Sequence, residues 1–400
     1  VFEDDKPFFS REKTKQFITE AIQWPKIVIY AGAGVTIDRS GLGWGQLVHG
    51  LLANYITSPE QRDRLLRGMA PQEAASVAAQ LYLDDHHGDY RDRLTDQLRV
   101  LLYNTGQWQK GDLALNIARL ALALNRKAIR ENRRNSGAVV VTPNYDSYIF
   151  EELSQASTEI VIRGRSRLRP RLLFPTNSDP LRAHDLHGDE SEFGDIDFSS
   201  WLTEGQSAFD ARYPSCIHLH GYISRSTTID GGRGIPPYRH PVVSEQDYFI
   251  TARSSYSALR ALFSDSAVIL AGSSMTDPPL LRALAATYDS TAPRWAIVPI
   301  GVSESRDDRL FIRRQVEKRF RHFNVTPVFV DLYGQIQQLF DELILASKLE
   351  DPDDYPRSDK TYGSRLDQWS QAWRNEIARA PEGSLESQVD VWFILRQLRE

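Results

Sequence analysis

The sequence predicts an α/β fold: a Rossmann-like doubly wound parallel sheet with a helical insertion and a helical C-terminal extension. Two observations carry this. Short apolar, β-branched runs recur along the chain and alternate with helical stretches, which is the sequence form of a parallel sheet buried on both faces. Several of these runs break directly into glycine or small polar residues, "GAG" after 26–31, "PNYD" after 138–142, "HG" at 220–221 and "GSS" at 272–274. That is the punctuation of a strand turning into a helix.

The elements follow in order. "KIVIYA" at 26–31 is the first strand; "GAGVT" is its glycine turn, and the helix expected next is "WGQLVHGLLANYI" at 44–56. Residues 58–136 lack β signals and are rich in Ala, Leu, Gln, Arg and Glu at helical spacing, so they read as a helical insertion. "AVVVT" at 138–142 is the second strand, followed by a helix carrying "SYIFEEL". Residues 163–213 mix Pro, Gly, Asp and Arg and read as long loops or a lid. "CIHLHGYI" at 216–223 is the third strand, and a helix is expected around 245–264 after the loop "DGGRGIPP". "AVILAG" (267–272), "WAIVPI" (295–300) and "TPVFVDLYG" (326–334) complete the strands, the last leading into the helix "QIQQLFDELILAS". One domain is thus expected over 1–349, with a linker at 350–361 that is acidic and contains proline, then a helical extension at 362–400.

Composition narrows the function classes. The 400 residues are 41% hydrophobic and 25% charged with a net charge of −5, so no overall basic field points to nucleic acid. The local run "RGRSRLRPR" at 163–171 reads as a solvated loop. Cys216 is the single cysteine, which excludes disulfide frameworks and cysteine-rich zinc modules within this chain. The most apolar run, 113–124, carries Asn116 and Arg119 and is too short to span a membrane. No signal peptide is visible, so the cytoplasm is the expected compartment. The chain starts at Val1, and its final stretch keeps a helical repeat without a cap, so it is expected to be one module of a longer protein.

In an open parallel sheet, ligands sit at the carboxyl ends of the strands. Gly32, Ala33, Gly34 and Thr36 follow the first strand, where a helix N-terminus and a close-approaching backbone suit a pyrophosphate; a plain turn gives the same letters. Asn144 and Asp146 follow the second strand and read either as caps or as site residues. His220 follows the third. Gly272, Ser273, Ser274 and Asp277 follow the fourth, and Asp277 before Pro278 also suits a simple N-cap. Four polar strand ends fall on the rim where a dinucleotide would lie.

"GAGVT", "TPNYD", "LHG" and "AGSSMTDPPL", in that order over roughly residues 10–345, resemble the SIR2 family, and more closely its bacterial defence-associated NAD hydrolase branch. The resemblance implies NAD as substrate and cleavage of its nicotinamide–ribose bond. It places Gly32, Ala33 and Gly34 on the pyrophosphate, Asn144 on the nicotinamide ribose, and Asp146 on the carboxamide. It makes His220 the general base, puts Ser273 and Ser274 on the adenosine side, and sets Tyr333 and Gly334 beside the adenine. It further implies an NAD-depleting role in antiphage defence by abortive infection, held in check by homo-oligomerisation or by a regulatory partner such as an ATPase or sensor. Deacylating sirtuins carry a four-cysteine zinc module, which one cysteine cannot build, and a different loop stands where this chain has "GLGWGQL" at 41–47. Both departures disfavour the alternative of a protein deacylase or ADP-ribosyltransferase. A non-catalytic sensor of an ADP-ribose-type signal is the third reading, and it has less need of both Asn144 and His220.

No metal is expected. His184, Asp185, His187 and Asp189, and "DDHHGD" at 84–89, lack a settled ligand spacing. The "LHG" at 186–188 is expected to lack a strand, because "LRAHDL" is polar and charged. Within "CIHLHGYI", strand alternation puts His218 and His220 on one face, with His218 deeper and structural.

Overall fold

The computed structural model describes residues 8, 11–103, 111–161, 168–175, 182–187, 190–197, 208–225, 241–300 and 306–346. The first half runs α1 (Glu12–Glu20), β1 (Lys26–Ala31), α2 (Ala33–Ser40), α3 (Trp44–Leu52), α4 (Pro59–Gly68), α5 (Pro71–His86), α6 (Tyr90–Tyr103) and α7 (Leu113–Arg130). Next come β2 (Gly137–Thr142), α8 (Tyr148–Val161), β3 (Arg171–Pro175), β4 (Arg182–His187), β5 (Glu190–Asp197) and β6 (Ser215–His218). The last part comprises α9 (Glu245–Phe263), β7 (Ala267–Ala271), α10 (Pro278–Ala286), β8 (Arg294–Pro299), α11 (Arg306–Arg321), β9 (Thr326–Val330) and α12 (Gly334–Ala346).

Among the described residues nine strands join one sheet in the order β5-β4-β3-β6-β2-β1-β7-β8-β9. From β3 across to β9 every neighbouring pair is parallel. The chain winds outward from β1 through β2 to β6, then returns to β7 on the other side of β1 and continues to β9. This is the expected doubly wound α/β sheet, with its switch of direction at β1 and β7.

Burial on both faces explains why the strands are near-continuous apolar runs. In β1, Ile27 and Ile29 enter a core with Phe17 of α1, Leu120 of α7 and Phe340 of α12. Val28 and Tyr30 enter the opposite core with Leu259 of α9, Leu284 of α10 and Phe320 of α11. Each such side chain, fully buried, stabilises by about 1.5–3 kcal/mol relative to exposure. Arg294 is a buried exception at the start of β8. Its guanidinium donates to the carbonyls of Leu284 (2.9 Å) and Phe323 (3.2 Å) and to Thr287 Oγ1 (2.7 Å), so it closes the end of α10.

Four sequence expectations change. The helix after the glycine turn is α2, which begins inside the turn at Ala33. Gly41, at φ 71° in the left-handed region, ends α2 and separates it from α3. The third strand is shorter than 216–223: β6 ends at His218, and the chain then bends through Gly221 at φ 96°. Residues 163–213 are not all irregular, since β3, β4 and β5 lie among them. Leu186 and His187 of the "LHG" at 186–188 do lie in a strand, β4, which pairs antiparallel with β3 and β5 near the sheet edge. An antiparallel pair near an edge has no need of the two-sided apolar run that buried parallel strands require.

Residues 58–136 hold α4 to α7. Of these, α7 lies against the sheet with Ile117, Ala118, Leu120 and Leu122 fully buried, and so serves as the crossover from β1 to β2. Among the described residues no helix is long and apolar enough to cross a membrane. The expected linker at 350–361 and extension at 362–400 lie outside the described residues, as does the loop 230–237.

Candidate functional site

The carboxyl ends of β1, β2, β6 and β7 meet at one rim, and the glycine turn is its centre. The Gly32 and Gly34 N–H groups donate to the carbonyls of Ala271 and Gly272, each at 2.8 Å. A Cβ on Gly32 would fall 2.5 Å from the Gly272 carbonyl oxygen, and one on Gly34 2.7 Å from the Gly272 Cα. These glycines are therefore required by the approach of two backbones, β1 to β7. Gly272 itself sits at φ 62°. Ala33, at the first position of α2, is the exposed residue of the turn.

The loop after β2 is tied to this turn. Thr142 Oγ1 donates to the Ala31 carbonyl (2.7 Å) and accepts from Asn144 N (3.0 Å). Asn144 Nδ2 donates to the Gly32 carbonyl at 2.9 Å, which leaves its amide oxygen directed elsewhere. Asp146 is buried; Oδ2 accepts from the Thr36 hydroxyl and Oδ1 from Tyr148 N. Burial raises its carboxyl to about 6, even though both of those bonds favour the anion. The helical insertion braces the same loop: Tyr103 of α6 accepts from Ser147 N (2.8 Å) and donates to the Ile223 carbonyl (2.7 Å).

The two histidines part company. His218 Nδ1 donates to the Asn144 carbonyl at 2.8 Å, and its ring packs edge-on against Tyr222 at 5.0 Å. Burial pushes it down to about 4, so it is a neutral structural residue. His220 lies beyond the end of the strand, where alternation no longer holds, and packs against Tyr248 of α9, ring to ring at 5.5 Å. It is 9% exposed, and among the described residues its Nε2 has no hydrogen-bond partner. Burial lowers its pKa, and the charge of Asp277 opposes that. A neutral imidazole with an uncommitted nitrogen can take up a proton.

The loop after β7 supplies the remaining rim. Ser273 Oγ accepts from Met275 N (3.2 Å), and the exposed Ser274 Oγ pairs with Thr276 Oγ1 (2.7 Å). Asp277 occupies the N-cap position of α10 but makes no capping bond. Its Oδ1 accepts from Tyr248 Oη (2.7 Å) and its Oδ2 from Tyr30 Oη (3.1 Å).

Gly32, Ala33, Gly34, Thr36, Asn144, Asp146, His220, Gly272, Ser273 and Ser274 thus share one rim, while Tyr333 and Gly334 stand apart. They follow β9, three strands from β1 in the sheet order, and Tyr333 is 67% exposed. Sequence reasoning missed Tyr30 and Tyr248, whose only signal is a hydroxyl in an apolar strand and in a helix. Among the described residues no group of three His, Cys, Asp or Glu side chains could hold a metal ion.

No curated protein matches the chain. A solved structure described as "Structural Basis for the Mechanism and Regulation of Sir2 Enzymes" is similar over 84% of this chain and 97% of that one, at 12% identity and a TM-score of 0.36. Residues 138–327, which include Asn144, His220 and Asp277 but not β1 or the glycine turn, match a family model described as "SIR2-like domain".

Proposed function

We propose that this protein is an NAD hydrolase that cleaves the nicotinamide–ribose bond, giving nicotinamide and ADP-ribose. The observation that carries the reading is the pair Asn144 and His220 at the ends of adjacent parallel strands, beside the glycine turn, with His220 buried and its Nε2 uncommitted. The match to a SIR2-like domain over 138–327 supports NAD as the substrate. Ala33 and the N-terminus of α2 face the pyrophosphate, the Asn144 amide oxygen meets the nicotinamide ribose, and Asp146 and Thr36 shape the wall beneath it. Gly272, Ser273 and Ser274 border the adenosine side.

Cleavage of a glycosidic bond passes through an oxocarbenium-like state. The bond from ribose C1′ to the pyridinium nitrogen breaks, and its electron pair leaves with nicotinamide as a neutral molecule. Water forms the new bond to C1′, and its proton passes to His220. A base that is neutral at pH 7 suits this step, and burial keeps His220 in that form. Unchecked, such turnover would drain a cell of NAD. In this reading the enzyme is an antiphage effector under control, through a homo-oligomer or a regulatory partner.

Nicotinamide release from NAD, with and without an acetylated peptide, tests this for wild type, Asn144→Ala and His220→Ala. Release without peptide that both substitutions abolish is expected. Strict dependence on peptide replaces the reading with a deacylase. NAD binding with no release across protein concentrations and in a cell extract replaces it with a sensor.

A further inference from the structure

We propose that Asp277 and Tyr248 are positioning residues for His220, forming with Tyr30 a buried tether that fixes its ring; this rests on His220 acting as the base. Three observations carry it. First, Asp277 stands where an N-cap stands, yet it caps nothing; both its oxygens are taken by phenols, Tyr30 from β1 and Tyr248 from α9. Pro278 and Pro279 carry no N–H, so an aspartate that only started this helix would turn its carboxylate to the Leu280 N–H.

Second, the loop that presents Asp277 is held in an unfavourable conformation. Met275 has φ 54° with its side chain fully buried, and Arg319 of α11 donates to its carbonyl. A non-glycine residue in the left-handed region persists only where its surroundings impose it. Here those surroundings lie immediately before Asp277.

Third, the tether ends on the uncommitted histidine. Tyr248 meets the His220 ring edge-on at 5.5 Å, while its hydroxyl is fixed by Asp277. Among the described residues the His220 Nε2 has no hydrogen-bond partner to set the rotation of the ring, so the tyrosine ring on one side and its own backbone, whose carbonyl accepts from Val242 N at 2.9 Å, define where Nε2 points. Among the described residues Asp277 is the charged group acting on His220, and Tyr248 is the titratable side chain in ring contact with it.

Tyr248→Phe keeps the ring and removes only the hydroxyl, and Asp277→Asn keeps the shape while it removes the charge and turns one of the two acceptors of the phenols into a donor, so both are expected to fold. Two readouts apply to the full chain. The His220 imidazole resonances, assigned by their loss in His220→Gln, should titrate at lower pH in Asp277→Asn, because the anion that favours the imidazolium is gone. The kcat for nicotinamide release should fall about tenfold in both variants with KM for NAD within about twofold, as for a group acting in the transition state only. An unmoved His220 titration together with an unchanged kcat overturns the tether. A wild type that releases no nicotinamide, or a His220→Ala variant that still does, instead overturns the function, and the His220 titration then decides the tether by itself.

Discussion

Asp146→Asn should make the protein more stable at pH 7.5, and by an amount that depends on pH in a specified way. Asp146 is 4% exposed and burial lifts its carboxyl from 3.8 to about 6. Because the folded-state value is the higher one, the folded chain holds this proton more tightly than the unfolded chain does. The resulting stability is complete below about 3.8 and is lost as pH rises through about 6. A rise of about two pKa units amounts to about 3 kcal/mol at pH 7.5, roughly half of it lost between pH 5 and 7.5. Asparagine carries no charge to bury and can still accept from Thr36 or from Tyr148 N. Urea unfolding of wild type and Asp146→Asn at pH 5, 6, 7 and 8 measures the difference directly. Its change between pH 5 and 7.5 should be about 1.5 kcal/mol in favour of the variant. A difference that stays level over that range would mean that Asp146 is not a buried charge, and the linkage argument fails.

Gly272→Ala should cost about 3 kcal/mol, from a left-handed alanine and from a Cβ placed 2.9 Å from Val35 N. A thermal melt within a degree of wild type would show that β1 and β7 do not approach as described. His218 behaves oppositely to Asp146. Its pKa is depressed to about 4, so its contribution is full above the ordinary 6.5 and lost as pH falls toward 4; His218→Gln should flatten that acid limb in urea titrations, and an unchanged limb would place the histidine in water. Arg91→Ala removes a half-exposed bridge to Asp247 (3.0 Å) and should change stability by less than about 1 kcal/mol, yet speed amide exchange in the first turn of α9; equal protection there would show that α6 does not anchor that helix.

Much of this fold is written in short apolar runs. Strands β1, β2, β7, β8 and β9 are short, largely apolar stretches rich in β-branched residues, the pattern of strands covered on two faces, and their shortness and the flanking glycines and prolines set them apart from buried helices. The antiparallel strands β4 and β5 are invisible by the same rule, because strands beside an edge can be as polar as "RAHDLH". The start of α2 was hidden by its own glycines, which read as a turn although the helix begins at Ala33. In the site, strand-end position separated His220 from His218, but alternation put both on one face, and only the end of β6 at His218 undoes that. The Tyr30–Asp277–Tyr248 cluster could not be read at all, since its members lie 247 and 29 positions apart along the chain and carry no motif.

The interlock of Gly32 and Gly34 with Gly272 also bears on how the protein is made. The turn after β1 takes two of its hydrogen bonds from Ala271 and Gly272, and β7 is the second neighbour of β1 in the sheet. A chain still on the ribosome, or one cleaved before β7, has the Thr142 and Asn144 bonds to Ala31 and Gly32 but lacks the acceptors of the Gly32 and Gly34 N–H groups, and loop closure over some 240 residues must come first. The rim is therefore assembled only once β7 has been made, and nascent chains and N-terminal fragments that stop before it carry letters of the site without the site.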